Sequence, residues 1–368
     1  MFVPFLRHRS PAVRSRVVAV LGQRVAVALH ELLPLLGDPD DDVRAAVVCA
    51  LPALGAAAVD ALRAIRRAPA PDRHSRRTAL TALAQVGGAA ALDDTDRMVV
   101  ERLIRVKQAH EMPEPMHLCS TWFAVPTADQ AAVLNALDLS DPVPVTMRLG
   151  AAAWNADHHA WDHEHGGCAR VYVSPTLEGW TLAFGRPVPS HDAGEDAVRG
   201  HAAATAVALS RRFGAAHWYG MSCGDGWTAW CIAVEGTVVA ESDGRFDDDL
   251  DDDDEAPPGP TVPWPEPIIV VAGQLPLFDV AAATGSDPSV PTPDPVIRSR
   301  LAAQLIEQCA VLMEEGRTAG YLAASTVAGR LSVDPGSIGP GTRHEGHGVL
   351  ALTACGRKHG VPPAALEI

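Results

Sequence analysis

The chain has 368 residues, of which 47% are hydrophobic and 20% are charged. This length corresponds to two or three domains, and the apolar content is high enough for ordinary buried cores. The composition excludes a disordered chain, a disulfide-stabilised miniprotein and a collagen-like fibre. No apolar stretch reaches about 18 residues, and the arginine-containing start lacks an uninterrupted apolar segment. We therefore expect neither a membrane-spanning helix nor a secretory signal.

The net charge of -15 is unevenly distributed along the chain. Residues 1–107 contain sixteen basic and eleven acidic side chains, whereas the remainder contains fourteen basic and thirty-four acidic ones. The two parts therefore carry about +5 and -20 charges, and the chain as a whole lacks the basic surface that nucleic-acid binding needs. We expect no nucleic-acid partner. The seven cysteines include no Cys-x-x-Cys pair, which predicts reduced thiols and a cytoplasmic location.

Two segments near the start of the chain repeat each other. Residues 13–21 and 43–51 both begin with Val-Arg and align at a spacing of thirty residues. A looser third copy, at a spacing of thirty-two, aligns Ala82-Leu83 with Ala50-Leu51. Each copy has the apolar spacing of an amphipathic helix, and leucine-rich or alanine-rich partner helices lie between the copies. Because single helix pairs bury little and stacked pairs share a core, residues 1–110 are predicted to form an α-solenoid. We expect the helix near residues 96–107 to close it with a polar face.

This pattern resembles the HEAT-repeat family, in the short form first described in phycobilin lyases. The resemblance rests on Leu32-Leu33-Pro34-Leu35-Leu36-Gly37-Asp38-Pro39-Asp40 and on Val43-Arg44 through Leu54-Gly55, and it covers about residues 8–90. It implies paired helices and a role in binding other proteins, and it implies no chemistry.

A cluster of arginines follows the second repeat. Its members are Arg63, Arg66, Arg67, Arg73, Arg76 and Arg77. We predict that they form a partner-binding surface. Two alternatives stay open: a solvated ridge without a partner, or a nucleic-acid surface whose affinity would fall steeply with salt.

Residues 112–245 are predicted to form an antiparallel α+β domain. A capping box at Thr127 to Gln130 opens a helix that runs to about Leu137, and a second helix is expected over residues 195–213. Runs of strands with few helices between them favour an antiparallel sheet over a doubly wound one. Seven of the eight tryptophans lie in this domain, either in its core or around a ligand-stacking cleft. The strands are predicted at residues 119–125, 143–149, 169–174, 180–185, 215–221, 227–234 and 237–241.

The last part of the chain changes in composition. Residues 246–293 are acidic and then proline-rich, which indicates a linker or an exposed loop of the α+β domain, with one further strand near residues 268–271. Residues 294–368 are predicted to form a helical C-terminal segment. Its expected helices cover about residues 295–315, 321–331 and 348–358.

The most unusual local feature is the histidine-rich stretch Asp157 to His165. Histidine nitrogens and carboxylate oxygens are ligands that zinc prefers, so the stretch is a candidate divalent-metal site, and the alternative is a polar loop between two strands. The candidate ligands are His158, His159, Asp162, His163 and His165. A second group, His217 with Cys223 and Asp225, has the residue types of a nucleophile and its base, but a hairpin turn explains it as well.

The chain contains none of the P-loop, dinucleotide-binding, nucleophile-elbow or zincin motifs, and we assign no catalytic residue. We predict a non-catalytic cytoplasmic adaptor that uses its HEAT-like repeats as a docking scaffold for a protein partner and needs no cofactor. One form of this role is an immunity-like protein that neutralises a basic toxin through its acidic domain. The alternative function is a metal-dependent hydrolase at residues 158–165.

Overall fold

A computed structural model describes most of the chain, and its residues fall into two units. The described residues are 2–22, 29–69, 72–116, 120–158, 169–185, 195–222, 226–242, 295–319 and 322–361. Unit 1 comprises residues 1–111, 144–164 and 359–368, and unit 2 comprises residues 112–143 and 165–358. The predicted segment 246–293 lies outside the described residues.

The described residues contain twelve α-helices and nine strands. The helices are α1 Pro11–Gly22, α2 Leu29–Leu32, α3 Asp41–Ala50, α4 Ala56–Arg67, α5 Arg73–Ala91, α6 Asp94–Gln108, α7 Gln130–Ala136, α8 Met147–His158, α9 Glu195–Phe213, α10 Pro295–Ala319, α11 Ala324–Leu331 and α12 Ala354–His359. The strands are β1 Thr121–Val125, β2 Ser140–Val145, β3 Val171–Leu177, β4 Trp180–Phe184, β5 Ala215–Met221, β6 Thr228–Val234, β7 Thr237–Ser242, β8 His344–Glu345 and β9 Gly348–Leu352. Short 3-10 helices occur at Val3–Arg7, Leu33–Gly37 and Leu51–Leu54.

Unit 1 contains the repeated helices expected from the sequence. The two aligned segments form α1 and α3, which pack against each other, and α4 packs against α5. The Asp40 side chain caps α3 by accepting hydrogen bonds from the amides of Asp42 and Val43. Pro52, which lacks an amide hydrogen, follows the end of α3 within a 3-10 helix. The apolar stripes are fully buried, and examples are Val18, Leu32, Leu36, Val43, Val47, Leu62 and Leu83.

Unit 2 is built on an antiparallel sheet, which confirms the antiparallel prediction. The strand order is β2-β9-β3-β4-β1-β5-β6-β7, and β8 pairs with β3. The predicted hairpin β3–β4 turns at Glu178-Gly179, where both residues have positive φ angles. The meander β5–β6–β7 also lies where the sequence places it. Hairpin alternation and turn residues were therefore sufficient to locate these strands.

The two faces of this sheet have different side chains because successive residues of a strand point in opposite directions. One face packs with residues of α7 and α9 in a core that includes Phe123, Trp218, Leu209 and Phe213. The other face carries buried rings, among which Trp122 stacks on Tyr219 and Tyr172 stacks on Phe184. The helix α11 contacts β5 and β6. This second face also includes Trp180, His217 and Trp230, beside Trp122 and Tyr219.

Two predictions between residues 127 and 158 were wrong. The helix α7 begins at Gln130, and its capping side chain is Asp129, whereas Thr127 Oγ1 accepts a hydrogen bond from the Asp129 amide in the preceding turn. The strand expected at residues 143–149 lies earlier, at Ser140–Val145. Thr146 then accepts a hydrogen bond from the Leu149 amide, which is typical of a helix start, and α8 follows.

The last of the three helices predicted for the C-terminal segment was also wrong. The helix expected over residues 348–358 is instead the strand β9 followed by the short helix α12. The residues of β9 pair with β3, with Val173 opposite Val349 and Val171 opposite Ala351. The Thr353 hydroxyl accepts from the Gly356 amide and so marks the start of α12. A short apolar run takes either conformation, and its pairing with a distant strand decided between them.

Candidate docking surface

The first repeat is tied to the second by a buried ion pair. Arg14 on α1 donates from Nε to Asp38 Oδ2 at 2.9 Å and from Nη2 to Asp38 Oδ1 at 2.7 Å. A third Arg14 nitrogen, Nη1, donates to the His8 carbonyl at 2.8 Å. Burial opposes ionisation of Asp38, but the hydrogen bonds from Arg14 and from the Asp40 amide outweigh it and lower the pKa of Asp38. Such a bidentate, buried pair fixes geometry as well as charge.

The equivalent arginine of the second repeat binds the same turn, which contains Asp38 and precedes α3. Arg44 lies thirty residues after Arg14, donates to the Asp38 carbonyl and pairs with the exposed carboxylate of Asp41. Asp38 therefore receives one arginine on its side chain and another on its backbone. These contacts hold α1 and α3 side by side in a defined position.

A shallow groove runs between these two helices. Its volume is about 550 Å³, and its walls carry mostly small side chains, with one arginine and one aspartate. The lining residues are Ser10, Pro11, Ala12, Ser15, Arg16, Ala19, Asp42 and Ala46. We call this surface the α1–α3 groove. Because its side chains are short, a partner segment can approach the helix surfaces closely.

The predicted arginine cluster is largely used inside unit 1. Arg63 donates from Nε to the Ala91 carbonyl at 2.9 Å, and Arg66 donates from Nε to Asp96 Oδ1 at 2.9 Å. Arg67 Nη2 lies 3.4 Å from Asp93 Oδ2. These three side chains join α4 to the end of α5 and to the first turn of α6, where acidic side chains also cap the helix.

The other three arginines of the cluster divide into two kinds. Arg76 donates from Nη2 to the Ala68 carbonyl at 2.7 Å and so binds the last turn of α4. Arg73 and Arg77 are exposed, and their guanidinium groups form no hydrogen bond or ion pair with the described residues. The structure therefore does not bring all six arginines together as a single available surface, and among the six only Arg73 and Arg77 lack a partner in the part of the chain that is described.

The candidate metal site lies mostly outside the described residues. Of its five proposed ligands only His158 is described. It lies at the end of α8, where its ring stacks on Trp154 with a centroid distance of 6.1 Å. His159, Asp162, His163 and His165 fall outside the described residues. The part of the chain that is described contains no group of three or more histidine, cysteine, aspartate or glutamate side chains arranged to hold a metal ion.

A buried polar chain occupies the second face of the sheet. His217 is fully buried, and its Nδ1 lies 3.0 Å from the Tyr219 hydroxyl, which lies 3.0 Å from Ser332 Oγ. The Trp180 ring packs on His217 with a centroid distance of 4.7 Å, and His217 Nε2 has no hydrogen-bond partner among the described residues. Burial alone lowers the pKa of His217 to about 3.

This row of hydrogen-bonded side chains is part of the packed interior and gives no access to a substrate, because His217 has no exposed surface. The two other members of the sequence-based nucleophile group, Cys223 and Asp225, lie outside the described residues. Sequence reasoning missed Tyr219 and Ser332. The spacing of two residues between His217 and Tyr219 signals a shared strand face, but no local signal points to Ser332, which lies 113 residues further along the chain.

The tryptophans of the sheet are packed in the interior of unit 2. Trp122 and Trp230 are buried, and Trp122 stacks on Tyr219 at 5.1 Å. The indole N–H of Trp230 donates to the Leu322 carbonyl at 3.1 Å, just before α11. Aromatic packing therefore accounts for these two rings, in agreement with the first of the two interpretations of the sequence.

Comparison with known proteins identifies the class of the N-terminal part. Residues 1–75 match the family model for HEAT repeats. The match covers about a fifth of the chain and confirms, for this segment, the resemblance seen in the sequence. No curated protein and no solved structure matches the chain. Among the described residues, no helix is long and apolar enough to cross a membrane.

Proposed function

We propose that this protein is a non-catalytic interaction scaffold whose HEAT repeats bind a partner protein. The observation that carries the proposal is the HEAT-repeat match over residues 1–75. Stacked helical repeats present extended surfaces, and proteins of this architecture commonly use them for binding. The buried Arg14–Asp38 pair supports the proposal further, because it makes the surface of α1 and α3 rigid before a partner arrives.

The proposed docking surface is the α1–α3 groove together with the free arginines of α5. At spacings of thirty and thirty-two residues, Ser15 on α1 corresponds to Ala45 on α3 and to Arg77 on α5. The repeat therefore assigns Arg77 to the same side of its helix as the groove residue Ser15. Arg16 adds a second exposed cation, and the net charge of residues 1–107 is positive. We expect a partner with an acidic surface.

The test compares proteins captured by the full-length chain and by two tryptophan variants. Ala46→Trp fills the groove, and Ala64→Trp places the same side chain at an exposed position of α4, as a matched control. Each tagged protein is incubated with nuclease-treated lysate of its native host, and bound proteins are quantified by mass spectrometry. A partner that the wild type and Ala64→Trp retain, and that Ala46→Trp loses, supports the proposal. No retained protein, or the same set with all three baits, contradicts it.

An immunity-like role is the narrower form of this proposal. It is supported by the net charge of about -20 that follows residue 107, because such a surface attracts basic proteins and steers their association. The same capture experiment tests it through the identity of the retained proteins. If no basic protein is retained at low salt, the immunity-like form is wrong, while the scaffold proposal stands on the groove variants alone.

A further inference from the structure

The helix α6 exposes an apolar stripe where a polar surface was expected. Val99, Leu103 and Val106 follow the i, i+4, i+7 spacing of one helix face, and all three are exposed. A different face of α6 packs against the rest of the protein, and its buried residues include Val100 and Ile104. The prediction of a polar cap is therefore wrong for α6. We call Val99, Leu103 and Val106 the α6 stripe.

A basic row lies beside the α6 stripe. Met98, Arg102 and Arg105 have the same spacing, shifted by one position, so they form the neighbouring row on the helix surface. Met98 is 61% exposed and extends the apolar area. The guanidinium groups of Arg102 and Arg105 are exposed and form no hydrogen bond or ion pair with any described residue. This surface is thus apolar along its centre and positively charged along one edge.

Such a surface is typical of an interaction site for a physical reason. The outer helix of a repeat array is normally polar, because no further repeat covers it. Exposed apolar side chains in a contiguous row, with a polar rim, mark interaction sites in soluble proteins. Val99 and Leu103 are about two-fifths exposed and Val106 is 57% exposed, so burying their remaining apolar surface against another molecule is favourable.

We propose that the α6 stripe binds an amphipathic helix with acidic flanks from a partner protein. Such a helix places its apolar residues on Val99, Leu103 and Val106 and its carboxylates beside Arg102 and Arg105. This is the helix-in-groove type of recognition, in which apolar anchors recur at i, i+3 or i+4, and i+7. The length of α6, 15 residues, corresponds to about 22 Å, so the contact covers roughly four turns of the partner.

Charge disfavours a second copy of this chain as the occupant. Two α6 helices packed through their stripes would bring two rows of arginine into one small interface, where like charges repel. The proposal adds a surface to the scaffold and does not depend on the α1–α3 groove, which lies on other helices.

The experiment selects peptide helices on the full-length protein. A displayed library of 16-residue helices has leucines fixed at the anchor spacing, and its flanking positions are varied among glutamate, lysine, glutamine and alanine. It is selected against the immobilised wild type at low salt. We expect glutamate to be enriched over lysine beside the leucines. When the library is selected on the immobilised double variant Arg102→Glu/Arg105→Glu, lysine should instead be enriched over glutamate, because only the charge beside the stripe has changed.

Two single variants test the apolar part of the surface. Val106→Glu should weaken binding of the selected peptides by about tenfold or more. Val143→Glu is the matched control: both valines are 57% exposed, and only Val106 belongs to the stripe. Circular dichroism checks that each variant is folded. The proposal is overturned by no enrichment, by lysine-rich peptides on the wild type, or by equal effects of the two valine variants. Self-association of the wild type that Val106→Glu abolishes would also overturn it, in favour of a second copy.

Discussion

Protonation of His217 should destabilise unit 2 well above the pH at which carboxylates titrate. His217 is fully buried beside Trp180 and the Tyr219 hydroxyl, and burial lowers its pKa from 6.5 to about 3 in the folded chain. In the unfolded chain the imidazole is in water and titrates at its ordinary value. The unfolded state therefore binds a proton more readily, and acid favours unfolding.

The magnitude follows from the difference between the two pKa values. The contribution of neutral His217 is complete above pH 6.5 and is lost progressively as the pH falls towards 3. Each pKa unit corresponds to 1.36 kcal/mol, so the free energy of unfolding should fall by about 2 kcal/mol between pH 7.5 and pH 5 and by about 4 kcal/mol by pH 3. Carboxylates with lowered pKa values, such as Asp38 and Glu178, add their losses only in more acidic solution.

The assay is urea unfolding followed by tryptophan fluorescence, because four of the five buried tryptophans among the described residues lie in unit 2. The wild type and His217→Asn are compared at pH 7.5 and pH 5. The variant loses stability at both pH values, since it disturbs the packing beside Trp180, but it should lose the pH dependence as well. An equal fall of the unfolding free energy with pH in both proteins would refute the reasoning, because the titrating group would then lie elsewhere.

Two further predictions concern packing and charge. Gly348→Ala should cost about 1–3 kcal/mol of stability, because the new methyl group would lie 2.6 Å from the buried ring of Tyr172. Gly341→Ala is the control and should be neutral, since its methyl group meets nothing within 4 Å. Equal melting temperatures of the two variants would contradict the placement of β9. Asp38→Asn should cost about 3–5 kcal/mol, since it leaves a buried guanidinium without its anion. Asp94→Asn, in an exposed ion pair, should cost less than about 1 kcal/mol, and equal melting temperatures for these two variants would argue against a buried pair.

Local patterns in the sequence located much of the fold. The thirty-residue repetition, with its apolar spacing, identified α1 and α3, and residues 1–75 match HEAT repeats. The long helix α9 and the meander after it were also found. In these segments, hydrophobic periodicity and turn residues all favour the same conformation, so neighbours in the chain suffice to determine it.

Contacts between distant segments decided what the sequence alone did not show. The run Gly348–Leu352 is a strand because β3 offers it a partner, and periodicity cannot distinguish a short apolar strand from a helix. The same holds for Arg63 and Arg66. They looked available in the sequence, but their partners at Ala91 and Asp96 lie 28 and 30 residues away, and those bonds exist only when α4 packs beside α5 and α6.

The candidate docking surfaces divide in the same way. Repetition and charge counts in the sequence are enough to predict repeated amphipathic helices with excess positive charge in the N-terminal part. The folded structure was needed to show that Arg73 and Arg77, rather than the whole cluster, have no partner among the described residues. It was also needed to show which apolar residues of α6 are exposed. A helical pattern shows that one face is apolar, but burial depends on whether a neighbouring element reaches that face. Since neighbours come from any part of the chain, exposure is a property of the folded structure.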